Sequence, residues 1–201
     1  MSIKDGKLLY HLTTLDVFES IVAKGLLSRN ALYTKRIAFV DTADHDILNG
    51  RERLGLSNYI PFHFHIHTSY DTCVKDQHSD KVFIYLCLHR NYAMMKRFFV
   101  LPIHPTSTEQ PKIYPYTEGI NKIDWDVMEL TKRDPLPEYA TERYRNQVRM
   151  AECLSPNTIP IIDFHSIVVE DENVKKIVNQ ILDKYGVEKN PPYINVNSKY
   201  F

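Results

Sequence analysis

A chain of 201 residues that is 43% hydrophobic and 25% charged carries enough apolar material for one globular domain, residues 1–201, with a sizeable core. The formal net charge is zero, from 25 basic and 25 acidic side chains, so a nucleic-acid partner must be met by a local basic patch rather than by an overall field. Cys73, Cys87 and Cys153 form no C-x-x-C pair, and the longest apolar run spans only Val82 to Leu88. This excludes a disulfide framework, a zinc ribbon, a secretory signal and a membrane span, and points to the reducing cytoplasm.

In chain order, Lys7 to Thr13 reads as a first strand. Asp16 and Glu19 resemble a capping box before a helical face of Phe18, Ile21 and Val22 that stops at Gly25. Arg36 to Val40 reads as a second short strand, and Asp44 to Arg53 as a polar, solvent-facing helix or loop. Asn58 to His67 alternates apolar or aromatic residues with polar ones, the period of a strand, and Pro61 sets it near an edge or a bulge. On that pattern His63, His65 and His67 share one face. A metal could use such a row, but no acidic or cysteine ligand stands at a supporting spacing, and imidazoles lining a solvent or cleft side are the better reading. Lys81 to His89 is the best candidate for a central strand, and Arg97 to Ile103 reads as another.

From His104 to Gly119 the chain is rich in Pro, Thr and Tyr, and loops of this length within compact domains are often functional. Ile123 to Met128 starts a helix around the only tryptophan, Trp125, and the Asp134-Pro135-Leu136-Pro137 stretch breaks it. A polar helix from Glu138 to about Arg145 leads into Arg149-Met150-Ala151-Glu152-Cys153-Leu154, where Glu152 stands alone in an apolar run and opens a short strand. A carboxylate is rarely buried without a partner or a purpose. Thr158 to Ile162 and Ile167 to Glu170 read as closing strands, and Val174, Ile177, Val178, Ile181 and Leu182 mark one face of a last helix. Residues 187–201 show no periodicity and read as an irregular tail, either loosely packed or a strip for a partner. Short strands and helices not in strict alternation predict an α+β fold. The six glycines build neither G-x-G-x-x-G nor a Walker A loop, and no G-x-S-x-G elbow is present.

Several blocks taken together carry a resemblance. Tyr10-His11-Leu12-Thr13 with Gly25-Leu26-Leu27-Ser28, then Ile47-x-x-x-Arg51, Asn58-Tyr59-Ile60-Pro61-Phe62-His63-Phe64, Ile123-Asp124-Trp125-Asp126 and Arg149 to Leu154 occur in the order of the DarT family of DNA ADP-ribosyltransferase toxins, which the chain resembles over residues 8–169. The resemblance implies an ADP-ribosyltransferase-like fold with two small sheets around an NAD cleft. It implies transfer of ADP-ribose from NAD to a base, typically thymidine in single-stranded DNA, and a macrodomain-type antitoxin as partner. Carried over, His11 and Thr13 hold the nicotinamide side of NAD, Arg51 is the catalytic arginine and Glu152 the catalytic glutamate, while His104 matches a family histidine near the acceptor. Two departures bear on the acceptor: Pro102-Ile103-His104 replaces the family's Asp-Gly-His, and His65 to Tyr70 replaces its arginine and prolines.

The residue types suit that chemistry. Breaking the nicotinamide–ribose bond develops positive charge on the ribose, which a carboxylate such as Glu152 stabilises while it draws a proton from the attacking base. Arg51 can fork onto phosphate or carboxylate oxygens, and Tyr59 and Phe62 can stack on nicotinamide or a splayed base. Lys35, Arg36, Arg53, Lys96, Arg97, Arg143, Arg145 and Arg149 are candidates for phosphate contacts. No metal is expected. The alternatives are an RNA or protein acceptor on the same fold, a catalytically silent nucleic-acid-binding module, and a hydrolase built on the histidine row.

Overall fold

The computed structural model describes residues 2–37, 50–104 and 112–201. Strand β1 (Leu8–Thr14) leads through a 3-10 turn into α1 (Phe18–Lys24), whose Phe18, Ile21 and Val22 are buried. No capping box precedes this helix: Asp16 pairs instead with Lys81 at 2.9 Å, and Glu19 with Lys184. Gly25 ends α1 at φ 81, and a Cβ there would lie 2.7 Å from Thr158 Cγ2. Only glycine fits both constraints. Helix α2 (Arg29–Thr34) follows, capped by Ser28. The second strand expected from Arg36 lies mostly outside the described residues, and Arg36 itself sits in a turn. Residues 50–53 are helical (α3).

Strand β2 (Ile60–His63) is shorter than the alternation suggested, and α4 (Ser69–Gln77) starts six residues after it on a capping box between Thr68 and Asp71. Strand β3 (Phe83–His89), α5 (Arg90–Met95), β4 (Phe99–Leu101) and the two-residue β5 (Tyr114–Pro115) follow, then α6 (Tyr116–Gly119) and α7 (Trp125–Glu129), the latter capped by Asp124. Helix α8 (Glu142–Arg149), capped by Thr141, delivers the chain to β6 (Glu152–Ser155). The strand expected at Thr158 to Ile162 is a single bridge, Leu26 to Ile159, followed by a 3-10 turn at Ile161–Asp163, because Pro160 has no N–H to continue a ladder. Strand β7 (Ser166–Val169) and the 13-residue α9 (Glu172–Lys184) bury Val174, Val178 and Leu182 as the apolar stripe required.

The tail is not irregular. Its residues Tyr193–Val196 form β8, paired in parallel with β7. Tyr200 and Phe201 then pack on Tyr85, and Lys75 of α4 donates to the Tyr200 carbonyl at 2.7 Å.

One sheet of eight strands runs in the order β5-β4-β6-β2-β1-β3-β7-β8, where two small sheets were expected. Its centre is nonetheless a seam. Strands β1 and β3 share seven register pairs, from Leu8 and His89 to Thr14 and Phe83, and β2 and β6 share four. Between β1 and β2 there is one, Tyr10 to His63. Pro61 lies in the middle of the sheet, not at its edge. The N–H it lacks belongs on the β1 side, where its carbonyl instead takes a hydrogen bond from the His11 ring at 2.8 Å. The two halves therefore diverge next to Pro61, and the divergence opens a cleft.

Candidate active site

Glu152 begins β6 between two neighbours, in register with His63 of β2 and Leu101 of β4, and is 4% exposed. Arg51, which the charge pattern had assigned to a solvated face, is 6% exposed. Its Nη1 donates to both Glu152 oxygens at 2.6 Å. The solvated reading fails because the partner that makes burial tolerable is 101 positions away in the chain. Burial drives the Glu152 pKa up, but the Arg51 guanidinium, with His63 and His104, outweighs it and holds the carboxyl below its ordinary value. Glu152 is thus anionic at neutral pH. Arg51 Nη2 is buried and has no hydrogen-bond partner among the described residues.

His11 sits on β1 across the seam. A carbonyl can only accept, so the bond to Pro61 fixes the proton on Nδ1. Burial lowers the His11 pKa to about 4. At neutral pH the ring is therefore uncharged and Nε2 is an acceptor. Phe62, a candidate for stacking on a ligand, is fully buried, and its ring lies 5.5 Å from that of His11. It backs the histidine rather than lining the cleft. Thr13 and Tyr59 do line it, and Tyr59 stands edge-on to Phe99 at 5.6 Å.

His104 follows β4, its backbone N–H bound to the Gln147 carbonyl at 3.1 Å. The residue is 5% exposed, and burial lowers its pKa to about 4 against the opposing pull of Glu152. His63 binds the Ala151 carbonyl through Nδ1 at 3.3 Å.

Two adjoining cavities share His11, Leu12, Arg29, Arg51, Pro61 and Tyr70. The larger, about 190 Å³, extends over Thr13, α1, α2 and Tyr59. The smaller, about 80 Å³, ends on His63, His104, Met150 and Glu152. The fold thus brings His11, Thr13, Tyr59, Arg51, His104 and Glu152 to one continuous cleft, in which Arg51 lines both parts and its partner Glu152 lines the smaller. Sequence reasoning missed Tyr70 of α4; the Thr68-x-x-Asp71 capping box was the signal that could have placed a helix there.

The histidine row does not converge. His63 reaches Ala151, His65 reaches the Ile66 and Arg149 carbonyls, and His67 reaches the Lys199 carbonyl. Among the described residues no group of His, Cys, Asp or Glu is arranged to hold a metal. Two of the suggested phosphate contacts are structural: buried Arg145 donates to the Thr131 carbonyl at 3.2 Å, and Arg149 to the Met128 and Leu130 carbonyls at 2.6 and 3.2 Å. No helix among the described residues is long and apolar enough to cross a membrane.

Solved structures share this architecture. Thermus sp. 2.9 DarT in complex with ADP-ribosylated ssDNA matches with a TM-score of 0.77 at 17% identity, over 97% of this chain and 96% of that one. The same protein in complex with NAD+ matches at 0.75 and 16% identity, over 98% of each chain. Thermosipho africanus DarTG in complex with ADP-ribose matches at 0.72 and 20% identity, over 98% of this chain and 51% of that one. No curated protein matched the chain. The fold, with its split sheet and central cleft, is that of an NAD-dependent ADP-ribosyltransferase. The family model described as ssDNA thymidine ADP-ribosyltransferase, DarT, matches residues 10–201, and the chain belongs to that family. It uses NAD as substrate to ADP-ribosylate single-stranded DNA.

Proposed function

We propose that Glu152, Arg51 and His104 carry the reaction, that His11, Thr13 and Tyr59 bind NAD, and that thymidine is the acceptor base. The observation that carries this reading is the buried Arg51–Glu152 pair, whose arginine lines both parts of the cleft and whose glutamate lines the shorter one. The long part seats NAD, with His11 Nε2 accepting from a ribose hydroxyl. As the bond from ribose to nicotinamide breaks, its electron pair leaves with nicotinamide and positive charge grows on the ribose, beside the Glu152 carboxylate. The short part receives the base. Thymine in DNA has a single ring N–H; its proton passes to Glu152 while the nitrogen bonds to the ribose carbon. Arg51 keeps Glu152 ionised until that step, and its Nη2, which has no partner among the described residues, is a donor for a substrate oxygen. His104, uncharged at neutral pH, faces the acceptor side. The base must be unpaired, since a stacked base hides that nitrogen.

Modification of bases in replicating DNA would arrest growth, so the same reading makes the enzyme a cytoplasmic toxin restrained by a macrodomain-type antitoxin that removes the mark. The DarTG chain, about twice the length matched, supports such a pairing. The test is incubation of wild type and Glu152→Gln with NAD and thymidine-containing or thymidine-free oligonucleotides of DNA and RNA, each read by intact mass. Wild type should add one ADP-ribose to thymidine-containing DNA alone, and Glu152→Gln none. Transfer by Glu152→Gln at the wild-type rate would overturn the assignment.

A further inference from the structure

Helix α4 supplies a wall of the active cleft but has little in its own sequence to hold it there. Its Tyr70 lines both parts of the cleft and its Val74 the longer one. The Tyr70 ring leans on His63, the register partner of Glu152, with centroids 6.1 Å apart. Yet of the nine residues in α4 only Asp71 and Val74 are buried, and one of those is a carboxylate. A helix this short depends on packing, since too few backbone bonds form to offset the cost of nucleation. One buried valine supplies little of that packing.

The anchor comes instead from residues 198–201, which follow β8 in a 3-10 turn. The stretch that local pattern left as a loose extension or a partner strip closes on the chain's own helix. Just ahead of α4, His67 Nε2 donates to the Lys199 carbonyl at 2.8 Å, a carbonyl being able only to accept. That bond falls on a residue whose φ of 58 lies in the left-handed region, which a non-glycine residue keeps only where its surroundings impose it. In the second turn, Lys75 Nζ donates to the Tyr200 carbonyl at 2.7 Å and to the Tyr85 hydroxyl at 3.3 Å. It also lies 5.0 Å from the ring centroids of both Tyr85 and Phe201. Contacts of an ammonium with carbonyls and ring faces strengthen as water is excluded, and Lys75 is half-buried. The Tyr85 hydroxyl returns the contact to the helix by donating to Asp71 at 3.1 Å. Tyr200 in turn packs on Tyr10 of β1 and Tyr85 of β3, at 6.3 and 5.9 Å. Residues 198–201 thus tie α4 to the half of the sheet that carries His11.

We propose that residues 198–201 form an internal clasp that sets the cleft wall, with Lys75 and Phe201 as positioning residues that act on NAD through Tyr70. The inference rests on the assignment of the cleft to NAD and deepens it. With the clasp closed, α4 stands against the cleft and Tyr70 borders both of its parts. With it open, the helix keeps only its capping box, Asp71 and a single valine. A ligand that binds the closed form alone has its affinity reduced by the fraction of molecules that are closed. The clasp holds that fraction near one without touching the ligand.

Two variants open the clasp from opposite sides. Lys75→Met keeps the stem and removes the ammonium, and Phe201→Ala removes the ring beneath it. Each should raise the Kd for NAD about tenfold in calorimetry, as the closed fraction falls to about a tenth. Amide exchange in α4 should quicken by about the same factor, while exchange in α9, remote from the clasp, stays at the wild-type rate. A cycle with Tyr70→Ala separates positioning from general support: once the tyrosine is gone, adding Lys75→Met should weaken NAD binding by less than about twofold. A wild-type Kd in both single variants, exchange that quickens equally in α4 and α9, or a full tenfold effect on top of Tyr70→Ala would each overturn the proposal. An unchanged Kd in His11→Phe would instead remove NAD from the cleft, and the proposal would fall with that assignment even if α4 loosens.

Discussion

Replacing Arg51 by methionine isolates the central electrostatic claim. Arg51 and Glu152 are 6% and 4% exposed, with Nη1 at 2.6 Å from both carboxylate oxygens. The methionine keeps much of the volume but leaves a buried carboxylate against which burial, the largest influence on it, is no longer offset by its main partner. Removing one member of a buried pair costs roughly 3–5 kcal/mol, a large share of the ~5–15 kcal/mol that stabilises a typical domain. Urea unfolding at pH 7.5 measures the loss. The double variant Arg51→Met with Glu152→Gln, which buries no charge, should recover at least half of it.

The pH dependence adds a sign. In wild type the folded-state pKa of Glu152 lies below its ordinary 4.5, so its contribution is complete at neutral pH and is lost as pH falls through the folded value. In Arg51→Met burial wins and the folded value lies above the unfolded one. Its contribution should then be greatest in acid and be lost as pH rises. The single variant should therefore gain on the double variant as pH drops from 7 toward 5. If Arg51→Met is within about 1 kcal/mol of wild type, or if the gap between the two variants ignores pH, the pair does not govern the ionisation of Glu152.

His11→Phe removes both the Pro61 contact and the Nε2 acceptor, and should weaken NAD binding by roughly 1–3 kcal/mol, up to about a hundredfold in Kd; calorimetry with NAD showing an unchanged Kd would place the ligand elsewhere. Burial lowers the pKa values of His11, His65 and His104 from 6.5 to about 4. The unfolded chain binds more protons between those values, so stability should fall by up to about 1.4 kcal/mol per pH unit per histidine on going from pH 6.5 to 4; a flat unfolding midpoint across that window would refute it. Gly25→Ala combines a strained φ of 81 with a Cβ 3.0 Å from the Ile159 carbonyl oxygen. Thermal unfolding should show a loss of about 1–3 kcal/mol.

What could be read from the sequence follows the range of the forces involved. β3 was legible because seven consecutive positions from Phe83 to His89 are strand-forming and mostly apolar, and α9 because its stripe repeats over three turns. Glu152 at the head of a strand was legible from the apolar residues around it. The burial of Arg51 was not, since neighbours Glu52 and Arg53 are exposed and only a carboxylate distant in the chain explains it. Pro61 misled for a related reason. Proline is excluded from the interior of a ladder, but here the ladder stops at Pro61 and a side chain takes over. β8 was hidden because Tyr193 to Val196 is a short stretch after Pro191-Pro192 whose strand character depends on the β7 edge it joins. The family blocks supplied what local pattern could not, since they single out His11, Arg51 and Glu152 jointly.

The seam between β1 and β2 has a mechanical meaning. A sheet is held across its width by rungs, and this one has a single backbone rung and one imidazole at its midline. NAD lying across His11 on one half and Arg51 and Glu152 on the other would act as the missing rungs, tying the halves together only while it is bound. At a hundred times its Kd a ligand adds about 2.7 kcal/mol to the unfolding free energy, and here that gain would fall on the weakest line of the sheet. Amide exchange near Pro61 should therefore slow on NAD binding more than exchange in β3, and the substrate becomes, for the length of one turnover, part of the architecture that positions it.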